Sequence, residues 1–103
     1  MTQAQPQKLS SKQISYLRSL GHGLNPVVMI GNNGLSENVL HEIDVSLQAH
    51  ELIKIKVQGD DRAQRIQMLE NICAHTGAVA VHHIGKQLLV YRAADKPRIA
   101  LPK

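Results

Sequence analysis

Apolar residues recur at helical spacing in some stretches and alternate with polar ones in others. The changes between these two patterns predict the order helix, strand, helix, strand, helix, strand, strand. Leu9, Ser10, Gln13 and Ile14 have the spacing of a hydrophobic staple and a capping box, which starts a first helix running to about Leu20, ended by Gly21. The run Val27 to Ile30 is too short for a helix and suits a strand covered on both sides. Val39, Leu40, Ile43 and Leu47 form the apolar stripe of a second helix, from about Glu37 to His50. In Leu52 to Val57 the pattern alternates, with Ile53, Ile55 and Val57 on one face and Lys54 and Lys56 on the other. Asp60 or Asp61 opens a third helix whose Ile66, Leu69, Ile72 and Cys73 are expected to face inward, closed by Thr76 and Gly77. Strands Ala78 to Ile84 and Gln87 to Arg92 follow, joined by Gly85 and Lys86 in a type II′ hairpin that would pair Val81 with Val90 and His83 with Leu88.

This order predicts an α/β (α+β) two-layer sandwich, α-β-α-β-α-β-β, with a four-stranded mixed sheet and right-handed crossovers between parallel neighbours. One sheet face is then left largely open, holding Lys54, Lys56, His82, Leu89 and Tyr91, with the first helix available to cover part of it. Residues 1–8 read as a flexible, Gln-rich N-terminal tail, 9–92 as a single domain, and 93–103 as a basic extended C-terminal tail.

The junction between the first strand and the second helix is the place for chemistry. Gly31 and Gly34 bracket Asn32 and Asn33, which tolerate left-handed backbone geometry, and Ser36 is a good N-cap for the helix that follows. A glycine turn at a helix N-terminus presents unpaired amides and the positive dipole end, both suited to a phosphate. The simpler alternative is a plain strand-to-helix turn.

Composition narrows the field. Twelve Lys and Arg against eight Asp and Glu give a net charge of +4 and point to a polyanionic partner. With Cys73 as the one cysteine and no signal-like or spanning segment, a reducing cytoplasm is expected and no membrane partner. Cys73 reads as a small core residue, and Glu42, Asp44 and Glu51 as surface charge. The six histidines are scattered, so no metal is expected, and no Ser-His-Asp order stands out. Gly34 is followed by Leu35 and Ser36 where a Walker loop needs Lys and Ser or Thr, and a dinucleotide fingerprint would need a third glycine. No cofactor, small-molecule substrate or catalysis is therefore expected. Tyr16 and Tyr91 are the sole aromatics, too few for a module that stacks bases on aromatic rings, which leaves a backbone clamp of glycine and lysine.

Three stretches carry a specific likeness: Pro26 to Ile43 with its Gly-Asn-Asn-Gly, His50 to Val57, and Ile84 to Arg92. Together they resemble the CRM domain (chloroplast RNA splicing and ribosome maturation), in particular its bacterial stand-alone form. The resemblance implies a fold similar to the C-terminal domain of translation initiation factor three. It also implies RNA binding and association with ribosomal RNA in precursors of the large ribosomal subunit. The family's loop maps onto Gly31, Asn32, Asn33 and Gly34, and its basic surface onto Lys12, Lys54, Lys56 and Lys86. Many members carry Lys or Arg between the glycines; here two Asn stand there, so the loop itself offers only amides and the helix dipole. The expected function is RNA binding in ribosome assembly. The alternative is a protein-interaction adaptor using the open sheet face around Leu89 and Tyr91.

Overall fold

Each helix starts where a side chain replaces a missing backbone partner. The computed structural model describes residues 8–103, so the expected tail at 1–8 lies outside the described residues except for Lys8. Helix α1 (Ser11–Gly21) begins with a complete capping box: Ser10 accepts the Gln13 N–H, and Gln13 Oε1 accepts the Ser10 N–H. Helices α2 (Glu37–His50) and α3 (Arg62–Thr76) begin at Ser36 and Asp61, whose side chains accept the amides of Val39 and Gln64. Gly77, at φ +76°, closes α3 in the left-handed conformation expected of a C-terminal glycine.

Strands β1 (Pro26–Ile30), β2 (Leu52–Val57), β3 (Val79–Ile84) and β4 (Gln87–Tyr91) form one mixed sheet in the order β1-β2-β4-β3. β1 and β2 are parallel neighbours joined through α2, while β4 lies antiparallel between β2 and β3. The expectation of adjacent parallel partners therefore holds for the first crossover and not for the second. The reason is composition: Leu88, Leu89, Val90 and Tyr91 bury both faces of β4, which suits the interior of the sheet. β1 is an edge strand, and contrary to the expectation of cover on both sides Val27 and Met29 are exposed.

Helices α2 and α3 pack on one sheet face around Val28, Ile30, Ile43, Leu47, Ile53, Ile55, Met68, Ile72, Leu88 and Val90. The stripe of α3 is turned from its expected position: Arg65, Met68, Ile72 and Thr76 are buried, Leu69 and Cys73 are half-buried, and Ile66 faces solvent. Arg65 takes the inward position because its guanidinium finds Gly59 O and His83 Nε2, each at 3.3 Å. The hairpin register also departs from expectation, pairing His83 with Leu88 but Ala80 with Val90, with an irregularity between Ala80 and His82. That irregularity sends Val81 to the opposite face, against Leu17, Leu52, Leu89 and Tyr91.

This second cluster narrows the open sheet face: α1 covers the part that holds Leu89 and Tyr91, while Met29, Lys56 and Ile84 stay exposed. Leu89 and Tyr91 are 4% and 1% exposed, beneath Leu17 of α1 and beside Ile99 and Leu101 of the C-terminal segment. Gly21 lets α1 come close, since a Cβ there would collide with Leu89 Cδ2. Glu51, expected at the surface, is fully buried and accepts the backbone amides of Ala94, Arg98 and Ile99 at 2.8 to 3.0 Å, which holds residues 93–103 against the domain.

Candidate nucleic-acid interface

The chain leaves β1 at Ile30 and turns at once, with the Gly34 N–H donating to Gly31 O at 3.0 Å. Gly34 has φ +71°, while Asn32 and Asn33 stay in ordinary backbone regions, so the left-handed position is taken by glycine and not by asparagine. This is the pattern of a turn whose last residue favours glycine. Gly31 is different: its φ is unexceptional and an added Cβ would approach Gln58 Oε1 only to 3.7 Å, so the fold makes no demand for glycine there. Both asparagine side chains are exposed at the tip. Two residues on, Ser36 satisfies the Val39 amide, and the first amides of α2 remain directed out of the helix end. Glu37 in that first turn tempers the positive end of the helix.

Hydrogen bonds tie this turn to the ends of β2 and the hairpin. The Gln58 N–H donates to Ile30 O at 2.9 Å, and the Val57 N–H donates to Lys86 O at 2.8 Å. Across the sheet Met29 is in register with Lys56, Lys56 with Gln87, and Gln87 with Ile84. The structure thus brings Gly31 to Gly34, Lys56 and Lys86 to one end of the sheet, with Lys54 two residues back on the same face. Lys12 stays apart. At 100° per residue it sits about 140° to 200° around α1 from Ile14, Leu17 and Gly21, on the solvent side.

Charge is unevenly available at this end. Lys54 and Lys56 meet no carboxylate among the described residues, whereas Lys86 Nζ lies 2.9 Å from Asp60 Oδ1. The hydrogen bond and charge of Lys86 hold the Asp60 carboxyl below its usual range.

Three further residues join the surface: Arg18 and His22, which the residue pattern did not single out, and His82, which it placed on the same sheet face as Lys54 and Lys56. Arg18 Nη2 lies 2.7 Å from His82 Nε2, and Arg18, His22, Lys54 and His82 line one shallow groove between α1 and the sheet. Burial, then the charges of Arg18, His22 and His83, push the His82 pKa down, so its neutral ring accepts the Arg18 N–H and holds the guanidinium at the groove. Arg18 and His22 are four apart, a helical pairing legible in the chain, but nothing in the spacing says which strand the helix crosses.

Among the described residues no group of three or more His, Cys, Asp or Glu side chains is placed to hold a metal ion. Burial pushes the Cys73 thiol up to about 11, which makes it a packing residue and a poor nucleophile. With Leu89 and Tyr91 beneath α1, the adaptor surface expected around them does not exist.

The family model for the CRS1 / YhbY (CRM) domain matches residues 9–92. An RNA-binding protein of Haemophilus influenzae is 47% identical over 95 residues, spanning 92% of this chain and 96% of that one. A protein of Pseudomonas aeruginosa, named a probable RNA-binding protein, is 42% identical over 89 residues, 86% of each chain. The solution structure of a Staphylococcus aureus protein, described as a candidate RNA-binding protein, superposes with a TM-score of 0.81 at 34% identity, covering 92% of this chain and all of that one.

Proposed function

The chain belongs to the CRS1 / YhbY (CRM) domain family, and from that membership we propose that it is a non-enzymatic RNA-binding protein of the cytoplasm that acts on ribosomal RNA in precursors of the large ribosomal subunit. The names of its relatives support RNA as the partner. The observation that carries the mechanism is the gathering of the Gly31 to Gly34 turn with Lys54, Lys56 and Lys86 at one end of the sheet. Glycine at 31 leaves room for a sugar-phosphate chain to approach the backbone, and the exposed Asn32 and Asn33 amides donate to phosphate or ribose oxygens. Lys54 and Lys56 supply attraction that does not depend on sequence, and Arg18 extends it toward α1. Lys12, on the far side of its helix, serves at most as a remote contribution to the field.

Counterion release gives the test. Affinity for structured ribosomal RNA should fall linearly on a log-log plot against salt, and Lys54→Ala or Lys56→Ala should each lower the slope by about 1. The protein should sediment with large-subunit precursors in low salt and leave them in high salt. An affinity indifferent to salt contradicts the electrostatic mechanism, and absence from precursors at low salt contradicts the assembly role.

A further inference from the structure

On the RNA-binding reading above, we infer that the uncovered half of the sheet face is a platform for unpaired nucleotides, so that the preferred RNA is looped or single-stranded and not a continuous duplex. α1 covers Leu52, Val81, Leu89 and Tyr91, and its C-terminal end, at Arg18 and His22, borders the groove that Ile84 and Gln87 also line. Beyond its end the next row across all four strands is Met29, Lys56, Gln87 and Ile84, on one face and in register. Met29 and Ile84 are 55% and 46% exposed, and they flank a lysine and an amide.

Phosphates account for only part of such a row. Lys56, Lys54 and Arg18 favour an anion, but a phosphate gains nothing from a thioether or a branched aliphatic chain, and covering those requires an apolar face. A nucleobase has that face, a polarisable one that suits the Met29 sulfur, and its edge can be met by the donor and acceptor of Gln87. The thioether is also held in place, since Gln58 Nε2 lies 3.6 Å from Met29 Sδ. Strands about 4.8 Å apart put the two ends of the row about 14 Å from each other, room for a base at each. The Gly31 to Gly34 turn begins two residues after Met29, beyond Ile30, and is placed for the adjoining phosphate. In a duplex the base faces are stacked away inside and only riboses, phosphates and groove edges are offered, which would leave Met29 and Ile84 uncovered.

The test compares a hairpin carrying an unpaired loop with its stem alone, blunt-ended, against the unmodified protein at one salt concentration, and then against Met29→Ala/Ile84→Ala. The hairpin should bind at least about tenfold tighter than the stem. The double variant should lose about tenfold on the hairpin, the scale of two apolar side chains losing their cover, with an unchanged salt slope because no charge is removed. Its melting temperature should stay near that of the parent, since both side chains are exposed. Equal binding of hairpin and stem by the parent, or hairpin binding unchanged in a folded double variant, overturns the platform and leaves the RNA reading standing. Failure to bind either RNA overturns both and would leave the row to a partner of another class.

Discussion

Lys86 Nζ sits 2.9 Å from Asp60 Oδ1, so the hairpin lysine at the proposed RNA site is already paired with a carboxylate in the free protein. The partner side chains are half and almost fully exposed, which makes the pair easy to open. A phosphate arriving at Lys86 has to displace Asp60, and its negative charge then remains beside the RNA.

Removing that competitor should strengthen binding. Asp60→Asn is expected to tighten RNA binding about two- to fivefold at low salt, the scale of one exposed ion pair, and to leave the melt almost unchanged. Lys86→Ala should weaken binding by less than Lys56→Ala, because Lys56 carries no such partner among the described residues. Parallel titrations of the three variants decide this. A looser Asp60→Asn complex would mean that Lys86 depends on Asp60 for its placement.

The two glycines of the turn should separate fold from function. Gly34 needs its left-handed geometry, so Gly34→Ala should cost about 1 kcal/mol of stability in a denaturant melt. Gly31→Ala meets no steric or conformational obstacle and should melt like the parent, yet it should weaken RNA binding several-fold if the sugar-phosphate chain approaches the backbone there. Equal RNA affinity for Gly31→Ala and the parent would place the backbone approach elsewhere.

Glu51 should govern how the C-terminal segment is held. It stands at φ +66° at the end of α2, an unusual conformation for a side chain of its size, and its buried carboxylate takes three amides from residues 94–99. Burial alone would raise its pKa, but those amides and the Arg98 charge outweigh it and hold the group below its ordinary 4.5. A depressed folded pKa means that its stabilisation is complete above about 4.5 and is lost as pH falls through the folded value. Glu51→Gln turns a donor group toward donors and should cost about 2 to 4 kcal/mol at pH 7. It should also flatten the acid limb of a stability-against-pH curve, and amide exchange in residues 94–99 should accelerate with it.

The pattern of the chain made the elements and their caps legible, because those depend on neighbours: Ser10 with Gln13, Ser36 with Val39, Asp61 with Gln64. It also made legible the Gly31 to Gly34 turn and the facing of Lys54 and Lys56, both set by local spacing. What it did not show was fixed by contacts distant in the chain. Glu51 has the composition of a surface residue and is buried only because residues 94–99 fold back over it. Arg65 displaces Ile66 from the buried stripe of α3 because Gly59 and His83 offer it partners from two other elements. The cover over Leu89 and Tyr91 rests on Gly21, which reads as a helix stop but works as a gap for Leu89. Arg18, His22 and His82 meet only because α1 crosses the sheet at that angle.

The most direct measurement of whether the Gly31 to Gly34 turn contacts RNA is a side-by-side melt and RNA titration of Asn32→Asp/Asn33→Asp and the parent. The substitutions keep size and turn propensity similar and place two negative charges at an exposed tip beside a helix N-terminus. There they should be neutral or stabilising by about 0.3 to 1 kcal/mol. An RNA backbone at the tip should be repelled, with affinity falling about tenfold or more at low salt and the loss shrinking as salt screens it. An intact melt with unchanged RNA affinity would show that Gly31-Asn-Asn-Gly34 is a turn alone and contradict the clamp.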